Sequence, residues 1–289
     1  MIIAVASGKG GTGKTTVAVG LALSLLESPP PGVSGVAMVD CDVEAPNAAL
    51  FLKPDLGPEE PVELLVPKVD LNACVLCGIC ADACQYHALA VVGEKVLVFE
   101  DLCHGCGSCA RVCPEGAIAE VPYRIGTVAR GRVGSMHFVH GYLDIGRPVA
   151  VPIIRQARRG VDAYASDGIV VVDAPPGAAC PAVAAMRGAD FVLLVTEPTP
   201  FGLHDLRAAV QVARDELGIP VGVVINRDGI GDDDVEHYCA DEGIPVLLRI
   251  PFDRRVAESY ADGIPITQVL PELSDAFRQI YDSMRKVVS

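Results

Sequence analysis

The chain has 289 residues, of which 51% are hydrophobic, and a formal net charge of −14 with a pI near 4.8. This length is enough to bury a large core, and we expect one large domain and one small domain. The acidity argues against a protein whose main task is to bind nucleic acid, because such proteins carry clustered positive charge. No apolar run reaches the roughly 18 residues of a membrane span, so we expect no integral membrane segment.

The first predicted element is a short buried strand over residues 2–6, which ends at a glycine-rich loop. We interpret this apolar run as a strand and not as a signal peptide, and we expect a cytoplasmic protein. A helix is predicted from near Gly13 to about Glu27, because a run of three prolines follows and ends it.

The loop between this strand and this helix has the form G-x4-G-K-S/T, which is typical of phosphate binding. Its glycines let backbone N–H groups turn inward onto phosphate oxygens, and the helix adds its positive N-terminal end. We expect Lys14 to reach the β and γ phosphates of ATP and the Thr15 hydroxyl to bind Mg²⁺. The loop residues predicted to bind ATP or ADP are Gly8, Gly10, Gly11, Thr12, Gly13, Lys14, Thr15 and Thr16.

Acidic residues end two of the strands predicted beyond this loop. Asp40 ends a buried strand over residues 36–40, and Asp173 ends another over residues 169–173. In parallel sheets, side chains at the carboxyl ends of strands point into the crevice where ligands bind. Because Mg²⁺ prefers oxygen ligands and often keeps its water, we expect both aspartates near this ion, through water.

A proline- and acid-rich stretch over residues 54–67 is predicted as a domain boundary, and a cysteine repeat follows it. Each cysteine of the second copy lies 29 positions after its counterpart in the first. Between the two copies, residues 89–92 and 95–99 predict a β-hairpin. This many cysteines without an export signal indicate metal ligands and not disulfides. The repeated cysteines are Cys74, Cys77, Cys80 and Cys84, then Cys103, Cys106, Cys109 and Cys113.

The spacing resembles that of bacterial two-cluster ferredoxins, in which the fourth cysteine of each run binds the other [4Fe–4S] cluster. By that resemblance, one cluster takes Cys74, Cys77, Cys80 and Cys113, and the other takes Cys103, Cys106, Cys109 and Cys84. The ferredoxin proline follows Cys113 but is absent after Cys84. Two structural zinc sites are the alternative, although zinc motifs usually pair two C-x2-C halves across a longer spacer.

Residues 123–160 carry seven arginines and one acid, Asp144. We interpret this stretch as a solvated helix face and a loop, and the alternative is a docking surface for an acidic partner. Within it, His137 and His140 are expected to form an exposed pair in a loop. The cysteines outside the repeat are interpreted as structural residues: Cys41, Cys180 and Cys239.

From Gly168 onward, apolar strands alternate with helices. Strands are predicted over residues 169–173, 191–196, 221–226 and 246–250, and helices near 203–217, 232–242 and 274–287. Such alternation implies a parallel sheet covered on both faces. The predicted fold is α/β, a parallel-sheet P-loop NTPase host domain with an inserted small α+β ferredoxin-like domain. The host domain is predicted over residues 1–66 and 122–289, and the insert over 67–121.

Lys9 is a further lysine that an ordinary phosphate loop does not need. The loop that contains it resembles the deviant loop of the MinD/ParA/Mrp family, and the likeness extends over nearly the whole host domain. The resemblance implies a homodimer in which Lys9 reaches the partner's nucleotide, while Asp42 orients the attacking water. It also implies that Asp40 and Asp173 support the Mg²⁺ shell. The residues that resemble the adenine side are Asn226, Pro251 and Asp253.

The whole chain resembles MinD-superfamily P-loop ATPases that carry an inserted ferredoxin domain. This implies a Mg-dependent ATPase whose nucleotide state gates electron transfer by two [4Fe–4S] clusters to an unknown partner. An ATPase that carries or assembles Fe–S or other metal cofactors is the second hypothesis, and MinD-like spatial positioning is the third. Eight interleaved ligands favour electron transfer, because a carrier usually holds a labile cluster on few, exposed cysteines.

Overall fold

The structure is a computed structural model that describes residues 1–161, 164 and 166–288. The strands in this part of the chain are β1 (Ile2–Ala6), β2 (Val36–Asp40), β3 (Asp55–Leu56), β4 (Glu60–Val69), β5 (Leu89–Val92), β6 (Lys95–Val98), β7 (Ile118–Val133), β8 (Met136–Leu143), β9 (Ile169–Asp173), β10 (Phe191–Thr196), β11 (Val221–Asp228) and β12 (Val246–Pro251). One sheet has the order β12-β11-β10-β1-β9-β2-β8-β7-β3, with β4 also paired to β7.

The strands from β12 to β8 in this order run parallel, which confirms the predicted α/β fold with a mostly parallel sheet. Every residue of β1, β2, β9 and β10 is buried. These strands consist almost wholly of apolar residues because both faces of the sheet are covered. The sequence predicts the limits of β9 and β10 correctly.

Helices cover the two faces of the sheet and create two cores. The helices are α1 (Lys14–Glu27), α2 (Ala48–Leu52), α3 (Ile79–Asp82), α4 (Ser108–Val112), α5 (Val151–Arg158), α6 (Cys180–Met186), α7 (Pro200–Val210), α8 (Asp234–Asp241), α9 (Arg254–Ala261), α10 (Ile266–Val269) and α11 (Glu272–Val288). Residues of α1 and α11 fill one core, and residues of α5 to α8 fill the other. None of these described helices is long and apolar enough to cross a membrane.

The structure differs from the sequence prediction at two stretches that form strands. Residues 54–67 contain β3 and most of β4, and residues 123–160 contain most of β7 and all of β8. Prolines occur in β4 because it is an edge strand, where a missing N–H donor is tolerated. His137 and His140 lie on β8 and His140 is buried, so the prediction of an exposed loop pair is wrong.

Several of the arginines that fall on and after these strands pair within the chain. Arg124 forms an ion pair with Asp144 at 3.1 Å. Arg158 of α5 is buried and donates to backbone carbonyl oxygens at the end of α6. Arg147 contacts the Asp101 carboxylate, which belongs to the cysteine repeat. These intramolecular pairs account for part of the positive charge and weaken the interpretation of this stretch as a docking surface.

The cysteine repeat lies at the end of a two-stranded ribbon. β4 and β7 pair antiparallel, from Glu60 opposite Val128 to Val69 opposite Ile118, and the ribbon leads from the main sheet into the repeat. The repeat contains the predicted hairpin, β5–β6, and the short helices α3 and α4. The proposed domain limits after residues 66 and 121 fall inside the two ribbon strands. The repeat is thus joined to the sheet by paired strands and not by flexible linkers.

Candidate functional site

Close backbone contacts hold the phosphate loop in place. A Cβ atom at Gly8 would come within 2.0 Å of the Asp205 backbone oxygen, and one at Gly13 within 2.4 Å of Asn226 Nδ2. Gly13 also has a φ of 94°, in the left-handed region that favours glycine. Asn226 Nδ2 donates a hydrogen bond to the Thr12 carbonyl oxygen at 2.7 Å, which ties the loop to β11.

A cavity of about 760 Å³ opens beside this loop, at the carboxyl edge of the parallel strands. Its size is in the range of small-molecule and cofactor sites. Most of the predicted nucleotide residues line it, namely Gly10, Gly11, Gly13, Lys14, Thr15, Thr16, Asp42, Asn226, Pro251 and Asp253. The predicted residues outside its lining are Gly8, Lys9, Thr12, Asp40 and Asp173.

Asp40 and Asp173 lie side by side on neighbouring strands, and both are fully buried. The Thr15 hydroxyl donates a hydrogen bond to Asp173 Oδ2 at 2.6 Å. The other oxygen, Asp173 Oδ1, is buried and has no hydrogen-bond partner among the described residues. An orphaned carboxylate oxygen next to a threonine hydroxyl fits the Mg²⁺ site that the sequence predicts. Backbone N–H groups donate to the Asp40 carboxylate from Asp42, Asn47 and Ala48.

Burial disfavours the ionised forms of these aspartate side chains when no cation is bound. It raises the pKa of Asp40 to about 7. Burial, with the nearby charge of Asp40, also raises the pKa of Asp173 well above its usual value. The pKa of Asp42 is raised by burial too, and the positive charge of Lys14 opposes that rise. A bound divalent cation would favour the ionised forms and so lower these pKa values.

Replacing one of these buried acids should stabilise the nucleotide-free protein more as the pH rises. An unfolded aspartate ionises near pH 3.9, whereas Asp173 keeps its proton to higher pH in the folded chain. Between the two pKa values the folded state binds more protons, so raising the pH costs stability. Asp173→Asn removes this cost. We therefore expect the free energy of unfolding of the variant, relative to that of the wild type, to be higher by on the order of 1 kcal/mol or more at about pH 8 than at about pH 5.

Urea unfolding of the wild type and Asp173→Asn at the two pH values measures this effect. Asp241→Asn, at an exposed position at the end of α8, is the control and should show no pH-dependent difference. A stability difference between Asp173→Asn and wild type that is the same at both pH values would contradict the prediction.

Lys9 is turned toward its own chain. Its Nζ lies 3.1 Å from Glu197 Oε2, and the Glu197 side chain is only 8% exposed. Arg227 Nη1 lies 2.5 Å from the other Glu197 oxygen. Glu197 thus holds two cations, Lys9 and Arg227, beside the phosphate loop. Sequence reasoning does not find this role of Glu197, because no spacing pattern connects residues so far apart.

The other end of the cavity includes the segment after β12. The Asp253 carboxylate caps α9 by accepting from the Arg255 N–H at 2.8 Å, and the Arg255 side chain holds the pKa of Asp253 below its usual value. Tyr260 of α9 also lines the cavity, and its hydroxyl accepts a hydrogen bond from Asn47 Nδ2 at 3.1 Å. Tyr260 and Asn47 could not be predicted from the sequence, since a single aromatic residue and a single amide form no recognisable motif.

Two small cavities in the described cysteine segment each collect four cysteines. The first is lined by Cys74, Cys77, Cys80 and Cys113. The second is lined by Cys84, Cys103, Cys106 and Cys109. Each cavity therefore combines three cysteines of one copy with the fourth cysteine of the other. This is the grouping that two interleaved clusters require.

The two copies have the same backbone conformation. This explains why each cavity combines three cysteines of one copy with the fourth cysteine of the other. Left-handed residues occur at matching positions, 29 residues apart, before and after the short helices. The copies also exchange equivalent hydrogen bonds, because Asp70 donates its N–H to Ala117 and Phe99 donates its N–H to Ala88. The matching left-handed pairs are Leu76 and Gly105, Gly78 and Gly107, and His87 and Gly116.

The donor sets of the two cavities fit iron–sulfur clusters. Ala88 N lies 3.3 Å from Cys84 Sγ, and Ala117 N lies 3.3 Å from Cys113 Sγ, so counterpart sulfurs accept counterpart N–H groups. Such hydrogen bonds support thiolate ligands. Over residues 1–161, 164 and 166–288, no three metal-ligating side chains are placed to hold a metal ion.

The three cysteines outside the repeat differ in their surroundings. Cys41 and Cys239 are buried, and burial raises the pKa of Cys239 to about 11. Cys180 is exposed at the start of α6, so it does not fill the core as a small apolar residue. Its neighbours Ala179 and Pro181 line the nucleotide cavity. The buried pair matches the interpretation as structural residues, whereas Cys180 does not.

Comparisons with known proteins agree with this architecture. A family model described as the CobQ/CobB/MinD/ParA nucleotide binding domain matches residues 3–266. The uncharacterized protein MJ0579 of Methanocaldococcus jannaschii is 32% identical over 270 residues, which are 91% of this chain and 90% of that protein. An iron-sulfur cluster carrier protein of Pyrococcus horikoshii is 26% identical over 309 residues, which cover 99% of this chain and 85% of that protein.

A solved structure shares the fold. The cell division ATPase MinD of Pyrococcus furiosus aligns with a TM-score of 0.59 and 22% identity, over 99% of this chain and 98% of that chain. At this identity the likeness concerns the fold alone. The family model, in contrast, spans most of the chain, including the phosphate loop and both aspartate-bearing strands. The chain therefore belongs to the CobQ/CobB/MinD/ParA family of nucleotide-binding proteins.

Proposed function

We propose that this protein is a Mg-dependent ATPase in which the nucleotide state controls electron transfer through two [4Fe–4S] clusters. One observation carries the proposal: eight cysteines form two four-cysteine cavities at the end of a ribbon that belongs to the nucleotide-binding sheet. Family membership supports the nucleotide half of the proposal. When bound, the clusters would supply one-electron chemistry, and the eight cysteines of the repeat would hold them.

The residues of the nucleotide cavity support hydrolysis of ATP. Lys14 would contact the β- and γ-phosphate oxygens, and Thr15 with Asp173 would hold Mg²⁺, which neutralises charge on the leaving group. Asp42 lines the same cavity and would orient the attacking water. Attack forms a bond from the water oxygen to the γ-phosphorus and breaks the bond to the bridging oxygen, which leaves ADP and phosphate.

A continuous strand path joins the two sites. Asp40 is the register partner of His140 on β8, and His140 in turn pairs with Ala129 on β7. β7 begins at Ile118, whose side chain lines the first cysteine cavity. Loss of the γ-phosphate releases the segment after β2, and this path can transmit the change to the clusters. Gating also requires that a redox partner binds more tightly, or that the clusters are reduced more easily, in one nucleotide state than in the other. A ligand that binds both states equally does not shift the equilibrium between them.

An experiment on anaerobically purified protein tests the gating. The reduction potentials of the clusters and the binding of an electron acceptor are measured with ADP and with a slowly hydrolysed ATP analogue. We expect at least one of the two to differ between the nucleotides, and the difference to vanish in Lys14→Ala. If neither changes with the nucleotide in the wild type, the gating proposal fails.

We propose further that the active form is a homodimer in which Lys9 contacts the partner's nucleotide. Since Lys9 is paired with Glu197 in its own chain, variants of the two residues should have opposite effects. Lys9→Ala should weaken ATP-dependent dimerisation, whereas Glu197→Gln should strengthen it by releasing Lys9. A partly exposed ion pair is worth about 1 kcal/mol at most, and a homodimer contains two of them, so the gain in Glu197→Gln should be about thirtyfold or less.

Sedimentation equilibrium with the slowly hydrolysed analogue measures the dimer dissociation constant. Glu258→Gln, whose carboxylate pairs with Arg254 on the surface of α9, is the control for loss of an acidic charge. The proposal fails if Lys9→Ala dimerises as well as the wild type, or if Glu197→Gln weakens the dimer.

A carrier that delivers Fe–S clusters is the second candidate function. It is favoured by the names of two relatives, the iron-sulfur cluster carrier proteins of Pyrococcus horikoshii and Synechocystis sp., which are 26% and 24% identical to this chain. ATP-dependent loss of iron to an apo-ferredoxin would support this reading. Retention of iron with nucleotide-dependent redox behaviour would support the gated electron-transfer reading.

Spatial positioning in the manner of MinD has less support. A membrane-binding function for the C-terminal helix would need a free apolar face. Here the apolar face of α11 packs into the core beside α1, with Phe277 and Met284 fully buried. That face is therefore unavailable for a membrane surface while the chain is folded as described.

A further inference from the structure

The two cysteine cavities differ at one pair of counterpart residues. Ile79 and Ser108 are 29 positions apart, and each is the first residue of a short helix that follows a left-handed glycine. Ile79 lines the first cavity, and Ser108 lines the second. The Ser108 Oγ lies 3.4 Å from Cys106 Sγ. When Cys106 is a metal-bound thiolate, the hydroxyl is the only possible donor of this hydrogen bond, and isoleucine at the equivalent place has nothing to donate.

Hydrogen bonds to sulfur are therefore distributed unequally. In the second cavity, hydrogen bonds join cysteine sulfurs to Ala88 N, Gly105 N and Ser108 Oγ. The first cavity has the counterpart of the Ala88 bond, from Ala117 N to Cys113 Sγ, but Ile79 offers no counterpart of the Ser108 hydroxyl. Reduction adds negative charge to a cluster and its thiolates, so donors aimed at the sulfurs stabilise the reduced form and raise the potential.

Each cavity also has one glutamate in its lining, Glu115 in the first and Glu120 in the second. The number of acidic residues in the lining therefore does not distinguish the two cavities, whereas the Ser108 hydroxyl does.

We propose that the two clusters are inequivalent, and that Ser108 gives the cluster of the second cavity the higher reduction potential. A single electron from a one-electron reductant would then reside on the cluster that Cys84, Cys103, Cys106 and Cys109 would hold. The cluster of the first cavity is reduced only by a second electron. This inference rests on the proposed function, because it needs both clusters to be present. It names Ser108 and Ile79 as the residues that set the order of reduction.

Potentiometric titration of the anaerobically purified full chain, followed by electron paramagnetic resonance, tests the inference. We expect two resolved midpoints in the wild type. Ser108→Ala should lower the higher midpoint, and Ile79→Ser should raise the lower one. One lost or added hydrogen bond should change the reduction equilibrium up to about tenfold, which is about 59 mV for a one-electron couple. Ser108→Thr keeps the hydroxyl and should restore the wild-type potential.

The outcomes distinguish a failure of the proposed function from a failure of the inference about the two reduction potentials. Absence of iron–sulfur clusters would refute the proposed function itself. Two intact clusters with equal midpoints would leave that function standing and refute the inference alone. So would a shift of the lower midpoint in Ser108→Ala, because Ser108 contacts only the second cavity's ligands in the part of the chain described here.

Discussion

Lys14→Ala should reduce the affinity for Mg-ATP by about a hundredfold or more and leave no measurable hydrolysis. Lys14 is 6% exposed at the wall of the nucleotide cavity, so alanine leaves no other group to meet the phosphates there. Charge-assisted contacts to two phosphates are together worth about 3 kcal/mol or more. The change also removes the positive charge that lowers the pKa of Asp42 and Asp173.

Isothermal titration calorimetry with Mg-ATP, together with phosphate release, measures both losses. Lys286→Ala, at an exposed position near the end of α11, is the matched control and should behave as the wild type. An affinity for Lys14→Ala within about threefold of the wild type would show that the nucleotide does not bind at this loop.

Cys113→Ser should abolish the cluster of the first cavity while the second remains. Cys113 follows the second cysteine run in the sequence but lines the cavity of the first run. Iron should therefore fall from about eight to about four atoms per chain. Anaerobic alkylation followed by mass spectrometry identifies the cysteines that are no longer protected. We expect these to be Cys74, Cys77 and Cys80.

The counterpart variant and a control complete this test. Cys84→Ser should release Cys103, Cys106 and Cys109 in the same way, since Cys84 lines the second cavity. Cys180→Ser, outside both cavities, should keep all the iron. If Cys113→Ser instead exposes the cysteines of the second run, each run binds its own cluster and the crossed assignment is wrong.

The nucleotide side of the molecule could be predicted well because its signals are local. The phosphate loop is a contiguous motif, and the limits of β9 and β10 follow from short, uniformly apolar runs. The position of Asp40 beside Asp173 follows from the general rule for parallel strands. In contrast, the pairing of Lys9 with Glu197 depends on where two distant loops meet in space. That geometry has no counterpart in the local sequence.

The ribbon could not be predicted, because its strands carry the wrong local signals. β4 contains Pro61 and Pro67, which indicate a loop unless the strand lies at a sheet edge. β7 is rich in arginine, with Arg124, Arg130 and Arg132 along its length. Their charge suggested a solvated helix, and only the pairing of the two strands with each other shows otherwise.

The cysteine repeat shows where a duplicated motif is informative and where it is not. The cysteines of the two copies are equally spaced, and three pairs of left-handed residues show that the two copies follow the same backbone path. Yet the first copy has Leu76 and His87 where the second has glycine. A left-handed non-glycine residue costs about 1 kcal/mol or more. Spacing alone does not reveal that the first copy bears this strain, which the folded repeat tolerates.

The metal content of anaerobically purified protein tests the central claim most directly. If one folded chain binds both ATP and two [4Fe–4S] clusters, elemental analysis and Mössbauer spectroscopy should find about eight irons and about eight sulfides per chain, in four-iron clusters. Zinc bound by the repeat, or eight cysteines free of any metal, would contradict the account and leave a nucleotide-binding protein without redox function.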